Sequence, residues 1–125
     1  MLSQGVEQAW FMWPGLVRLT VSNLIANAKD AYRRRANPIS TAPVWFDIDY
    51  TARLVVCRDE AGGVKQGLEH MLFEPYVSEK GVFMNVGLGL PQARMAMHVQ
   101  GFDLYLAPNQ PSHGAAFLLD FRDHK

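Results

Sequence analysis

Two carboxamides four residues apart, Asn23 and Asn27, stand on a polar stripe that runs through the stretch Leu19 to Ala31. At helical spacing Thr20, Asn23, Asn27 and Asp30 share one face, while Leu24, Ala28 and Ala31 line a neighbouring face directed at a core. An amide oxygen is a hard, neutral ligand, suited to a cation such as Mg²⁺ whose remaining positions are filled by phosphates and water. The same spacing also fits an ordinary solvent-facing stripe. Further along, the turn Asp59-Glu60-Ala61-Gly62-Gly63-Val64 follows directly on the apolar run Leu54-Val55-Val56-Cys57. A carboxylate emerging at a strand end can accept a hydrogen bond from an exocyclic amine such as that of adenine, and glycines let a flat ring lie against the main chain. Asp and Gly also end strands for purely local reasons. A second glycine cluster, Val86-Gly87-Leu88-Gly89-Leu90, opens a helical pattern, so free amide groups and the helix dipole there suit phosphate. By itself so short a glycine motif is weak. Between the clusters lies Leu72-Phe73-Glu74-Pro75-Tyr76-Val77-Ser78-Glu79-Lys80, where aromatic rings can wall a pocket and Ser78 and Lys80 can meet phosphate oxygens. It reads equally as a proline-broken loop with a solvated lysine.

These groups need elements to hold them. A helix is predicted from about Gly15 to Ala36, with Pro14 at its start and Asn37-Pro38 as its stop. The runs Val44 to Tyr50 and Arg53 to Arg58 are spaced as a hairpin, and Phe102 to Leu106 with Ala115 to Phe121 make a second. A short helix is expected through Leu68 to Leu72, a loop from Pro75 to Val86, and a second long helix from about Leu88 to Gln100. Paired strands with helices between the pairs predict an α+β two-layer sandwich: a mostly antiparallel sheet with helices packed on one face.

Composition narrows the function classes. The 125 residues fit a single domain, 1–125, and a hydrophobic content of 49% suffices for a core. Twelve basic and twelve acidic side chains cancel, so no global field attracts nucleic acid or anionic membrane. Arg33-Arg34-Arg35 falls at the expected helix end, where cations complement exposed carbonyls. The single Cys57 excludes an internal disulfide and reads as a buried strand residue. Nothing approaches the roughly twenty apolar residues of a membrane span, and the start lacks the pattern of a leader, so the chain is expected to be cytoplasmic, whether or not it belongs to an anchored parent. Trp10 and Trp13 are expected either to dock an upstream helix or to seal the core edge.

Taken in order, the four segments resemble the ATP-binding catalytic domain of two-component sensor histidine kinases, in the GHKL superfamily. Asn23 to Ala28 resembles the N box, Asp59 to Val64 the G1 box, Leu72 to Lys80 the F box and Gly87 to Leu90 the G2 box. Gly114-Ala115-Ala116-Phe117 is similar to the closing strand, so the resemblance runs from about Leu16 to Phe121. It implies the Bergerat fold, an α/β sandwich on a mixed, mostly antiparallel sheet. ATP and Mg²⁺ are the implied cofactors. Asn27 is implied to ligate the ion and Asn23 to line the site. Asp59 is implied to hold the adenine amine beside Ala61 and Gly63. Phe73 would pack under the lid, Ser78 and Lys80 would approach the phosphates, and Gly87, Leu88 and Gly89 would form the phosphate-side turn. Asn27 and Lys80 carry the implied catalytic roles.

Three positions depart from the pattern: Ala61 stands for a glycine, Asn85 for the glycine that opens the G2 box, and Phe102 for a second glycine after Gly101. Ala61 is tolerable if it keeps a negative φ. No histidine has the acidic, proline-bearing helical context of a phosphoacceptor, and the stretch before the first helix is too short for dimerisation helices. The expected activity is therefore protein-histidine phosphotransfer in which a histidine-bearing dimerisation domain is supplied in cis or in trans, with a response regulator as an indirect partner. The apolar Gly81 to Met84 is expected either to grip that domain or to fold over its own pocket. Two alternatives stand beside this: a degenerate, non-catalytic GHKL docking module, motivated by Ala61 and Asn85, and a partner-switching Ser/Thr protein kinase.

Overall fold

The computed structural model describes residues 12–34, 43–63, 72–74, 77–78, 81–82 and 89–122. Its elements run α1 (Pro14–Arg33), β1 (Val44–Asp49), β2 (Leu54–Asp59), β3 (Val77–Ser78), β4 (Gly81–Val82), α2 (Gly89–His98), β5 (Asp103–Leu106) and β6 (Ala116–Asp120). Four strands form one sheet in the order β1-β2-β6-β5, and every pairing in it is antiparallel. The outcome is the α+β arrangement expected from the strand pairing, with β1 and β5 at the edges of the sheet.

Pro14 occupies the first turn of α1, where its missing N–H loses no intrahelical bond, and Trp13 caps the helix with extended backbone. The buried stripe of α1 is Thr20, Leu24, Ala28 and Tyr32. This corrects the assignment of Thr20 to the polar face: it is fully buried, and its Oγ1 donates to Leu16 O at 3.0 Å and to Ala93 O of α2 at 3.3 Å. A small hydroxyl between two helices can satisfy itself on backbone carbonyls, so burial costs it little. Ala93 and Ala96 keep α2 slim where the helices meet, and both are buried.

Alternation along β2 directs Val55, Cys57 and Asp59 inward. With Leu104, Phe117 and Leu119 from β5 and β6, and Leu24, Leu90 and Met97 from the helices, Val55 and Cys57 form one hydrophobic core. Phe102 stands edge-on to Phe121, ring centroids 5.2 Å apart, so at this position the ring fills core volume that a second glycine would leave empty. Gly101 before it adopts φ +83°, which closes the turn out of α2. The β1–β2 turn is fixed by Asp49 Oδ1, which accepts from Ala52 N–H at 3.0 Å, with Arg53 in the left-handed region at φ 59°.

Some expectations shift. The segment expected to be an unbroken loop from Pro75 to Val86 contains the short antiparallel pair β3–β4. Most of the expected short helix through Leu68 to Leu72 lies outside the described residues, as do Trp10, Phe83 and Met84. Trp13 does not seal the core edge: it is 65% exposed, and Met12 beside it packs on the core instead. Its backbone N–H donates to Gln100 Oε1 at 2.7 Å, which ties the start of α1 to the end of α2.

Candidate functional site

Asp59 is the last residue of β2 and is only 5% exposed. Its Oδ1 accepts from two backbone donors, Ala61 N–H at 2.9 Å and Ala115 N–H at 3.3 Å. The first closes an Asx turn that sends the chain away from the sheet; the second reaches across to the chain entering β6. Asp59 N–H in turn donates to Ala115 O at 2.9 Å, and Gly62 N–H donates to His113 O at 2.8 Å. The carboxylate is therefore held both by its own turn and by the segment that leads into β6. One core neighbour registers it electrostatically: burial and then the charge of Asp59 push the Cys57 thiol up to about 12, so at neutral pH Cys57 is a neutral, inert core residue.

Ala61 adopts no positive φ; among the described residues only Arg53 does so without being glycine. The methyl group is therefore accommodated without backbone strain, and it is buried. The left-handed positions fall instead on Gly62 at φ +103° and Gly63 at φ +87°. A Cβ on Gly63 would also meet Gly114 O at 3.2 Å. The tightest approach belongs to Gly114, where a Cβ would sit 1.8 Å from Asp59 O and 2.7 Å from Asp59 C. Backbone meets backbone there, and nothing larger than glycine fits.

The second part of the site lies on α1. Asn23 and Asn27 are both half-buried on the face beside the core stripe. The Asn23 Nδ2 atom is buried with no hydrogen-bond partner. A buried, unsatisfied amide costs roughly 1–3 kcal/mol, so a polar group that supplies an acceptor there recovers that cost. Asp30, placed on the same stripe by spacing, is engaged by arginines: its carboxylate lies 3.5 Å from Arg34 Nε and 3.9 Å from Arg33 Nη2, while Arg34 Nε also donates to Asp30 O. Of the basic helix end, Arg34 thus meets a helix carbonyl as its position suggested, and it pairs with the Asp30 carboxylate as Arg33 does; Arg35 lies outside the described residues.

Tyr32 joins the two parts. Its hydroxyl donates to Pro43 O at 2.9 Å and accepts from Glu60 N–H at 2.8 Å. The residue after Asp59 is thereby seated against the last turn of the helix that carries Asn23 and Asn27. Phe73 closes on the sheet side, edge-on to Phe117 of β6 with centroids 6.2 Å apart at 89°, and the Arg94 guanidinium of α2 lies 4.9 Å from its ring centroid. Gly89 starts α2, and the space its Cβ would enter is open. Ser78 lies in β3, opposite Gly81. Lys80, Asn85, Gly87 and Leu88 fall outside the described residues.

Sequence reasoning passed over three positions. Tyr32 continues the buried i, i+4 stripe after Ala28, a signal that was present. Arg94 and Gln110 carried none. Gln110 Nε2 donates to Ala107 O and Ala116 O, both at 2.8 Å, and its Oε1 accepts from Ala116 N–H at 3.0 Å. It thereby stiffens the β5–β6 connection that presents His113, Gly114 and Ala115 to the Asp59 turn.

The donor set suits a nucleotide with a divalent ion. Among the described residues no three imidazole, thiol or carboxylate groups converge on one point. A carboxamide such as Asn27 would then contribute one neutral ligand, with most of the coordination coming from phosphates and water. The buried orphan at Asn23 and the glycine-lined turn after Asp59 both fit such a ligand.

No protein-family description matches the chain, and no curated protein matches it in sequence. Among solved structures it is similar to a mycobacterial sensor histidine kinase, MprB, at 18% identity and a TM-score of 0.54, over 80% of this chain and 70% of that one. At that identity the likeness is one of fold alone.

Proposed function

We propose that the chain is an ATP-binding catalytic domain of the sensor histidine kinase type, which delivers the γ-phosphate of ATP to a histidine on a separate domain or chain. One observation carries the reading: the Tyr32–Glu60 hydrogen bond brings a buried, strand-ending carboxylate against the helix that bears an unpartnered buried amide. An acidic anchor for an amine and a polar face for phosphates are thereby held in one unit. The fold likeness to MprB supports the same reading.

In this reading Asp59 holds the adenine amine, Ala61 and Gly63 shape the floor under the base, and Phe73 walls the site. Asn27 ligates Mg²⁺ and Asn23 lines the phosphate side. Ser78, Lys80 and the turn of Gly87, Leu88 and Gly89 serve the phosphates, with the first amides of α2 adding dipole stabilisation. Held there, Mg²⁺ would supply positive charge against the phosphates. The chain's own work is positioning and charge neutralisation, which suffices for phosphoryl transfer to an imidazole. No side chain is assigned as a general base. The acceptor histidine belongs to a dimerisation domain supplied in cis or in trans, a response regulator follows downstream, and the setting is cytoplasmic. Among the described residues no helix is long and apolar enough to cross a membrane.

Isothermal titration with an ATP analogue and Mg²⁺ tests this. Wild type should bind, Asn27→Ala should lose the Mg²⁺-dependent part of the affinity, and Asp59→Asn should lose preference for adenine over guanine nucleotides. Absence of binding by wild type at millimolar nucleotide would sink the proposal and favour a non-catalytic docking module.

A further inference from the structure

Arg94 lies on the second turn of α2, at a position that no feature of the nucleotide site, as set out above, requires. It nevertheless touches two elements at once. Its guanidinium carbon stands 4.9 Å from the centroid of Phe73, within the reach of a cation–π contact, while its Nε donates to Asp103 Oδ1 at 3.4 Å. Asp103 is itself anchored: the same oxygen accepts from Leu104 N–H at 2.8 Å and lies 2.7 Å from His98 Nε2. Phe73 completes the chain by standing edge-on to Phe117. A side chain on the start of β5 thus holds a guanidinium that covers one face of the Phe73 ring, while β6 supports that ring from the core.

We infer that Arg94 is a positioning residue which fixes the Phe73 ring as a wall of the nucleotide site, and that Asp103 sets the guanidinium for that task. The inference rests on the reading of the site given above. Its physical basis is that a planar guanidinium tethered by a carboxylate cannot leave the ring without giving up an ion pair, so ring and helix α2 move as one body. A hydrocarbon of equal length would fill the space but hold neither partner. A lysine keeps the charge and much of the ring contact.

The test measures affinity for an ATP analogue with Mg²⁺ in wild type, R94M, R94K, F73L and the double variant R94M/F73L, all as the full chain, with thermal unfolding of each. Loss of the contact in R94M should weaken nucleotide binding about two- to fivefold, the range a partly exposed cation–π contact supports. R94K should recover most of that loss, and R94M should add almost nothing once Phe73 is already leucine. Equal affinity of R94M and wild type, or an R94M effect that is undiminished in the F73L background, would overturn the inference while leaving the site reading intact. If R94M unfolds early, R94K and F73L carry the comparison alone: a full loss of affinity in R94K despite retained stability overturns the inference too. A wild type that binds no nucleotide overturns the site reading and this inference with it, and is told apart by its appearance before any substitution is made.

Discussion

The two halves of the candidate site differ in how much of their polarity the protein already satisfies. At the Asp59 turn the carboxylate Oδ1 receives two backbone N–H groups, and further backbone bonds from Asp59 and Gly62 cross to Ala115 and His113. On α1 the Asn23 Nδ2 atom is buried without a hydrogen-bond partner. The first half is built as structure, so removing its parts should cost stability. The second half carries an uncompensated cost, so apolar replacement there should cost binding and spare the fold. Such a division is common where part of a site doubles as scaffold and part waits for ligand.

Substitutions test this contrast, and the largest effect falls on the structural half. Gly114→Ala forces a methyl into the Asp59 carbonyl, and unfolding in urea should show a loss of about 3 kcal/mol or more. Asp59→Ala leaves the Ala61 and Ala115 N–H groups without their acceptor; a loss of about 2–3 kcal/mol is expected in the same assay, with Asp59→Asn retaining part of it. Tyr32→Phe removes one donated and one accepted bond, worth about 1–2 kcal/mol together, and should lower nucleotide affinity because the turn loses its seat on α1. A smaller effect belongs to pH. Burial pushes the Asp103 carboxyl up, but hydrogen bonds from His98 and Leu104 and the charges of Arg94 and His98 outweigh it and hold it below its ordinary value of 3.8. Its charged form therefore favours the folded state: the contribution is complete above that ordinary value and is lost as pH falls through the lower folded one. Comparing wild type with Asp103→Asn, the difference in unfolding free energy should shrink on acidification below pH 3.8, from an initial gap of about 0.5 kcal/mol. Last comes Asn23→Leu, expected to change stability by about zero or to raise it slightly while it removes nucleotide-dependent stabilisation. If Asn23→Leu unfolded as readily as Asp59→Ala, the division between scaffold and ligand-facing halves would be wrong.

Local pattern made much of the fold legible. Period-3.6 spacing located α1 and α2, and apolar runs with turn residues between them located both hairpins, because these signals depend only on neighbours along the chain. The turn after β2, opened by Asp59 and carrying Gly62 and Gly63, was legible for the same reason. Thr20 was misplaced because a hydroxyl looks polar in sequence, yet helix–helix contact offered it the Ala93 carbonyl. The short β3–β4 pair was hidden since two-residue strands carry no period to detect.

Residue order along the chain was enough to give the succession and type of the elements and the groups they carry: two spaced carboxamides, a strand-ending carboxylate, and glycines where the backbone must turn. Which of these groups are already satisfied and which are not depends on contacts between distant segments. The Tyr32 bond to Glu60, the Gly114 contact with the Asp59 carbonyl and the Arg94 bridge between Phe73 and Asp103 join residues 9 to 55 positions apart. Chain-local propensity cannot encode such pairings; they follow from the register of β2 against β6 and from the packing of two helices on one face of the sheet.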